Sequence, residues 1–190
     1  MILYLHGFRS SPASYKAQVL AAHFLALGRN NEFACPQLPA SPKLAIELAQ
    51  TLIDEKPLEK CTIIGSSLGG YYANFLAEKN DCKAILLNPA VKPPRDLEKY
   101  VGMQTAYHSE ELFEFKEEYL EELKQFEVEQ ITLPKRYLLI AATGDEVLDW
   151  REMQMHYAQA QQLIIQGSDH GISEFPDYLE QILAFCDADK

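Results

Sequence analysis

The chain has 190 residues, 47% of them hydrophobic, which fits one domain able to bury a core without disulfide support. Its formal net charge of −11 argues against nucleic acid or an anionic membrane surface as the main partner. A small anionic substrate stays open, because a local field can oppose the global one.

Cys35, Cys61, Cys82 and Cys186 are scattered, with no Cys-x-x-Cys or Cys/His ligand spacing, and His23, His108 and His156 show none either. No metal site is expected. No apolar run approaches the ~20 residues of a membrane helix, and Met1 to Leu5 is too short for a signal-peptide core. A reduced, cytoplasmic protein is the expectation.

In chain order, residues 2–5 read as a strand, followed by the loop His6-Gly7-Phe8-Arg9. Residues 12–27 carry apolar positions at Val19, Leu20, Phe24 and Leu27 and close on Gly28, a helix pattern. A strand at 32–35 precedes Ser41-Pro42, an N-cap with proline at the first helical position, and Leu44, Ile46, Leu48, Leu52 and Ile53 continue that helix. The strand at 61–64 runs into Gly65-Ser66-Ser67-Leu68-Gly69 and a helix over 68–78. That is Gly-x-Ser-x-Gly in strand–turn–helix context, which puts the central serine hydroxyl on a sharp, exposed turn.

The strand at 84–87 ends at Asn88-Pro89, and the next begins only near Arg136, about 45 residues on, too far for a plain αβ loop. Within that gap, Ser109 to Phe126 has the spacing of an amphipathic helix: Leu112, Phe115, Tyr119, Leu120, Leu123 and Phe126 share one stripe, with Ser109 as cap. Two readings stay open, a surface helix packed on the body or a small cap over the serine pocket. The strand at 137–141 leads to Thr143-Gly144-Asp145-Glu146-Val147, and the helix at 149–159 follows. The strand at 163–165 leads to Gly167-Ser168-Asp169-His170-Gly171, then a helix at 175–186. Six strands with helical crossovers predict a mainly parallel sheet covered on both faces, with ligands beyond the strands' carboxyl ends. No linker or repeat divides the chain, so a single domain over 1–190 with an insertion at about 92–130 is expected.

A serine hydroxyl needs a base to accept its proton, and the base needs a carboxylate to hold its tautomer. Ser67, Asp145 and His170 occur in that chain order, each after a strand. Asp145 is placed ahead of Glu146 and Asp149 because it comes first after its strand, and Asp149 suits the cap of the next helix. Asp169 adjoins His170 and cannot easily reach its Nδ1. The oxyanion donors are expected at the backbone amides of Leu68, directly after the serine, and Phe8, where Gly7 permits close approach. His6 is read as a loop brace. Arg9, Tyr71 and Asn88 are candidates for substrate contact; the other readings are an exposed or structurally paired arginine, packing of Tyr71 rather than Tyr72 against the sheet, and a loop positioned by Asn88.

Leu5-His6-Gly7-Phe8, Gly65-Ser66-Ser67-Leu68-Gly69-Gly70, Gly144-Asp145-Glu146-Val147-Leu148-Asp149 and Ser168-Asp169-His170-Gly171 together resemble the α/β-hydrolase superfamily. Within it the chain is similar, over essentially its whole length, to small bacterial YqiA-like esterases. The resemblance implies a three-layer α/β-hydrolase fold with about six strands and a small helical insertion, and cofactor-free hydrolysis of an ester or thioester. It carries over Ser67 as nucleophile, Asp145 as acid, His170 as base and Phe8 and Leu68 as oxyanion donors. The expected protein is thus a monomeric or small homo-oligomeric serine esterase acting on esters of small or short acyl chains. An acyl-CoA thioesterase with the same triad, or a hydrolase-fold binding protein without catalysis, is the alternative.

Overall fold

Apolar runs without alternation form strands buried on both faces, and this chain has several. Ile2–Leu5 (β1), Thr62–Ser66 (β3) and Tyr137–Ala142 (β7) are buried at every position, and Lys83–Leu87 (β4) at all but its first. In the computed structural model, which describes residues 1–55, 61–107 and 109–188, they pair with Phe33–Ala34 (β2) and Gln161–Ile165 (β8). His108 lies outside the described residues. The sheet is parallel throughout, in the order β2-β1-β3-β4-β7-β8. Its register pairs Leu5 with Gly65, Ser66 with Leu87, Leu87 with Ile140 and Ala142 with Ile165, so the strands' carboxyl ends share one edge.

Successive side chains on a strand point to opposite faces, and the core divides accordingly. Ile2, Tyr4, Ile64, Ile85 and Leu87 pack with Tyr15–Ala26 (α1) and Leu179–Asp187 (α7). Leu3, Leu5, Ile63, Leu86 and Leu139 pack with Pro42–Asp54 (α2), Leu68–Asn80 (α3) and Trp150–His156 (α6). The three-layer α/β arrangement expected from the sequence is the one observed. Ser41 caps α2, its Oγ accepting from the Leu44 amide at 3.2 Å ahead of Pro42.

The segment between β4 and β7 departs from expectation. It holds Pro93–Leu97 (α4), the strands Gly102–Thr105 (β5) and Leu112–Phe115 (β6), paired antiparallel, and Glu118–Lys124 (α5). The helix read over 109–126 is therefore confined to its second half, and Ser109 does not cap it. The physical reason is that Leu112-Phe113-Glu114-Phe115 also alternates. Leu112 and Glu114 face solvent while Phe113 and Phe115 turn inward, and both inward rings close on Phe8 of the β1 loop. Among the described residues, no helix is long and apolar enough to cross a membrane.

Candidate active site

β3 passes into α3 through Ser67, whose backbone sits at φ 55°, ψ −121°, outside the regions favoured by L-residues. Such a conformation costs on the order of 1–3 kcal/mol and persists only where its surroundings enforce it. Here the Ser67 amide donates to the Leu87 carbonyl at 3.0 Å, and its own carbonyl accepts from Gly70 at 2.9 Å and Ala90 at 3.0 Å. The flanking glycines are a packing requirement. A β-carbon at Gly65 would drive into the Gly69 carbonyl, and one at Gly69 into the Leu5 carbonyl.

The loop after β7 carries Asp145, whose side chain is fully buried. Its Oδ1 accepts from the Val147 and Leu148 amides, each at 2.8 Å, and its Oδ2 lies 2.8 Å from His170 Nδ1. Two backbone amides and the imidazole thus converge on the one carboxylate. The loops after β7 and β8 stay zipped beyond the strands: Thr143 donates to Ile165, Gly144 donates to Gly167, and the Gly167 amide donates to Thr143 Oγ1.

The rivals to Asp145 have other tasks. Glu146 accepts from the His170 amide at 3.0 Å, and Asp149 caps α6 through the Arg151 amide. Asp169 accepts from the Ser173 hydroxyl and amide, and those bonds hold its carboxyl below the usual carboxylate range.

Ser67 and His170 line one cavity of about 640 Å³, together with Gly7, Phe8 and Leu68. Ser67 Oγ and His170 Nε2 are not hydrogen-bonded to each other; that contact is commonly long until substrate is in place. A β-carbon on Gly7 would sit 3.1 Å from Ser67 Cβ, so the glycine lets the β1 loop lie directly over the serine. Among the described residues, neither the Phe8 nor the Leu68 amide is claimed by a protein acceptor. A second cavity of about 450 Å³ shares Gly7, Phe8 and Leu68 with the first.

His6 braces the loop, with Nδ1 3.0 Å from the Gly7 carbonyl and Nε2 accepting from the Leu38 amide at 3.0 Å. Each of the three candidates for substrate contact has a partner within the protein. Tyr71 is buried, and its hydroxyl donates to the Leu123 carbonyl at 2.7 Å, tying α3 to α5. Arg9 donates through Nε to the Thr105 carbonyl, spreads its guanidinium over Tyr107, and lines the second cavity rather than the first. Asn88 is wholly buried at φ 41°, its Oδ1 accepting from Ala142 and its Nδ2 donating to the Asp169 and His170 carbonyls. It fastens the base-bearing loop to the ends of β4 and β7.

Sequence reasoning passed over Lys16, which lines the larger cavity while only 8% exposed. The readable signal was its place four residues before Leu20 and eight before Phe24, on the buried stripe of α1. Among the described residues, no group of three or more His, Cys, Asp or Glu is gathered to hold a metal ion.

Comparison with known proteins agrees with the fold. The model of the uncharacterised protein family UPF0227 matches residues 1–187. A UPF0227 protein of Enterobacter sp. (strain 638) is 27% identical over 112 residues, 56% of this chain and 60% of that protein's own length. Among solved structures, the alpha/beta hydrolase domain-containing protein 10 from mouse superposes with a TM-score of 0.70 at 15% identity, covering 96% of this chain and 88% of that one. A structure from the work on LipS and LipT, two metagenome-derived lipolytic enzymes, gives 0.73 at 16% identity, covering 97% and 92%. At those identities the likeness speaks for the α/β-hydrolase fold.

Proposed function

This chain belongs to the uncharacterised protein family UPF0227, and from that premise we propose that it is a serine esterase acting on small carboxylic esters. The observation that carries this reading is Ser67 on its strained turn, facing the same cavity as an imidazole already paired with a buried carboxylate. In the proposed cycle His170 Nε2 takes the Ser67 proton as Oγ attacks the ester carbonyl. The developing oxyanion is met by the Phe8 and Leu68 amides, a contribution of about 3–4 kcal/mol per donor. His170 then protonates the leaving alcohol, and water repeats the sequence on the acyl-enzyme.

A cavity of about 640 Å³ supports small or short acyl chains. Residues 93–124, whose α4 and Tyr100 line it, would act as a cap within a single domain. Four cysteines that remain free thiols support a cytoplasmic setting.

The test is a fluorophosphonate probe run beside a short panel of 4-nitrophenyl esters. Labelling of wild type, its loss in Ser67→Ala, and a fall in turnover of about 10⁶ are expected. Turnover in Ser67→Ala above about a tenth of wild type would overturn the mechanism. Matched oxygen and thio esters of one acyl chain separate esterase from thioesterase, and a site that neither labels nor hydrolyses would be a binding module.

A further inference from the structure

Lys16 is the second residue of α1, and its side chain reaches the catalytic cavity from the face opposite α3. Lysine is almost never this deeply buried without a partner, because removing an ammonium from water costs several kcal/mol. Its Nζ donates one hydrogen bond, to the Gly171 carbonyl at 2.6 Å, beside His170. Among the described residues, no carboxylate forms an ion pair with it and no acceptor takes its other two N–H groups. The charges of Asp145 and Asp169 act on it from nearby, while their hydrogen bonds go to His170 and Ser173.

A brace to one carbonyl takes one of the three N–H groups of the ammonium and leaves two donors at the cavity wall without a protein acceptor among the described residues. Ser14, the residue before the same helix, lines the same cavity, its hydroxyl beside that of Tyr4. That 12-residue helix has no side-chain cap, so its first-turn amides and the positive end of its dipole remain open beside Lys16. The other fixed charges lining the cavity are Lys99 and Asp96, and Asp96 is already paired with Arg95 at 2.7 Å. The charged side chains lining the cavity are thus two lysines and one aspartate, with the Asp145 and Asp169 charges set behind Lys16.

Building on the esterase reading, we propose that the substrate is an anionic ester whose oxyacid group, carboxylate or phosphate, docks on the Lys16 ammonium at the first turn of α1. Burial pushes the Lys16 pKa down to about 8, with Asp169 and Asp145 partly opposing the shift, so the ammonium form still predominates near neutral pH. A bound anion would stabilise that form further. Such a substrate enters against the protein's overall negative charge and is selected inside the site.

The experiment measures kcat/KM by pH-stat for matched ester pairs differing only in charge. Methyl butyrate against monomethyl succinate puts a carboxylate on the acyl side. Propyl butyrate against the butyrate esters of 3-hydroxypropanoate and of 3-hydroxypropyl phosphate puts a carboxylate or a phosphate on the alcohol side. Wild type is expected to favour the charged member of at least one pair by about 10- to 100-fold, as one charge-assisted hydrogen bond would give. In Lys16→Met that ratio should fall to near one, and in Lys16→Arg it should largely survive. A residue that only steadied the Gly171 loop would depress both members equally and leave the ratio unchanged, which would overturn the proposal. So would a wild type with no charge preference in any pair. Fluorophosphonate labelling of each variant reports that its site is assembled. As a readout independent of any variant, succinate or inorganic phosphate should raise the melting temperature of wild type. If the probe fails to label and no ester of either charge is cleaved, the esterase reading itself has failed; neutral-ester hydrolysis without charge preference defeats the anion site alone.

Discussion

The two sides of the cavity that Ser67 and His170 share are held in different ways. On one side, the loops after β4, β7 and β8 are fixed by short, directional hydrogen bonds: Asp145 to His170, Glu146 to the His170 amide, and Asn88 to two carbonyls of the His170 loop and the amide at the end of β7. On the other, the segment from α4 to α5 adds a cluster of rings to its hydrogen bonds with Arg9, Tyr71 and Glu152. Phe8 packs against Tyr100, Phe113 and Phe115 at centroid distances of 5.5, 6.0 and 5.0 Å. Hydrogen bonds specify angles and apolar contacts specify area, so the first side suits the placement of reacting atoms and the second the enclosure of a substrate.

That contrast predicts where each substitution will be felt. On the hydrogen-bonded side, His170→Ala should lower kcat by about 10⁶ and Asp145→Asn by about 10⁴, with KM little changed, in a 4-nitrophenyl ester assay. A loss below about 100-fold in either would take that residue out of the reaction. On the ring-packed side, Phe115→Ala should cost about 3–5 kcal/mol of stability in urea denaturation, since the ring is wholly buried, and raise KM more than it lowers kcat. An unchanged urea midpoint would dissolve the distinction. Asn88→Asp keeps an acceptor for Ala142 and deletes both donors to the His170 loop. A loss of about 1–3 kcal/mol is expected, with kcat falling more than KM rises; the reverse split would make Asn88 a substrate contact after all. Smallest is Arg95→Ala. Its paired bonds to Glu152 join α4 to α6 at the half-exposed surface, so the change should stay within about 1 kcal/mol by the same denaturation.

The sequence disclosed the two sides unequally, for the same physical reason. Strands buried on both faces leave unbroken apolar runs, and a serine between two glycines after such a run has few alternatives, so the sheet and the places of Ser67, Asp145 and His170 were readable from local pattern. The aromatic side depends on a partner far away in the chain. Phe113 and Phe115 fit a helical stripe as well as an alternating strand, and only their meeting with Phe8 decides between the two. Asn88 was legible only in part. An asparagine before proline reads as a loop residue, and nothing nearby shows that its amide spans the ends of two other strands. Tyr71 likewise found its acceptor in α5, beyond the reach of any window around α3.

β8 lies at the margin of the sheet, with β7 as its single strand neighbour among the described residues, yet the loop it feeds carries His170. A marginal strand is an early candidate for local opening, whereas Ser67 rides on β3, which is flanked on both sides. Ser67 and His170 therefore sit on parts of the molecule with unequal resistance to fraying, and Asn88 fastens the His170 loop to the ends of β4 and β7. Activity in such a protein reports the closure of its weakest seam and should vanish, under mild denaturant, before the sheet as a whole gives way.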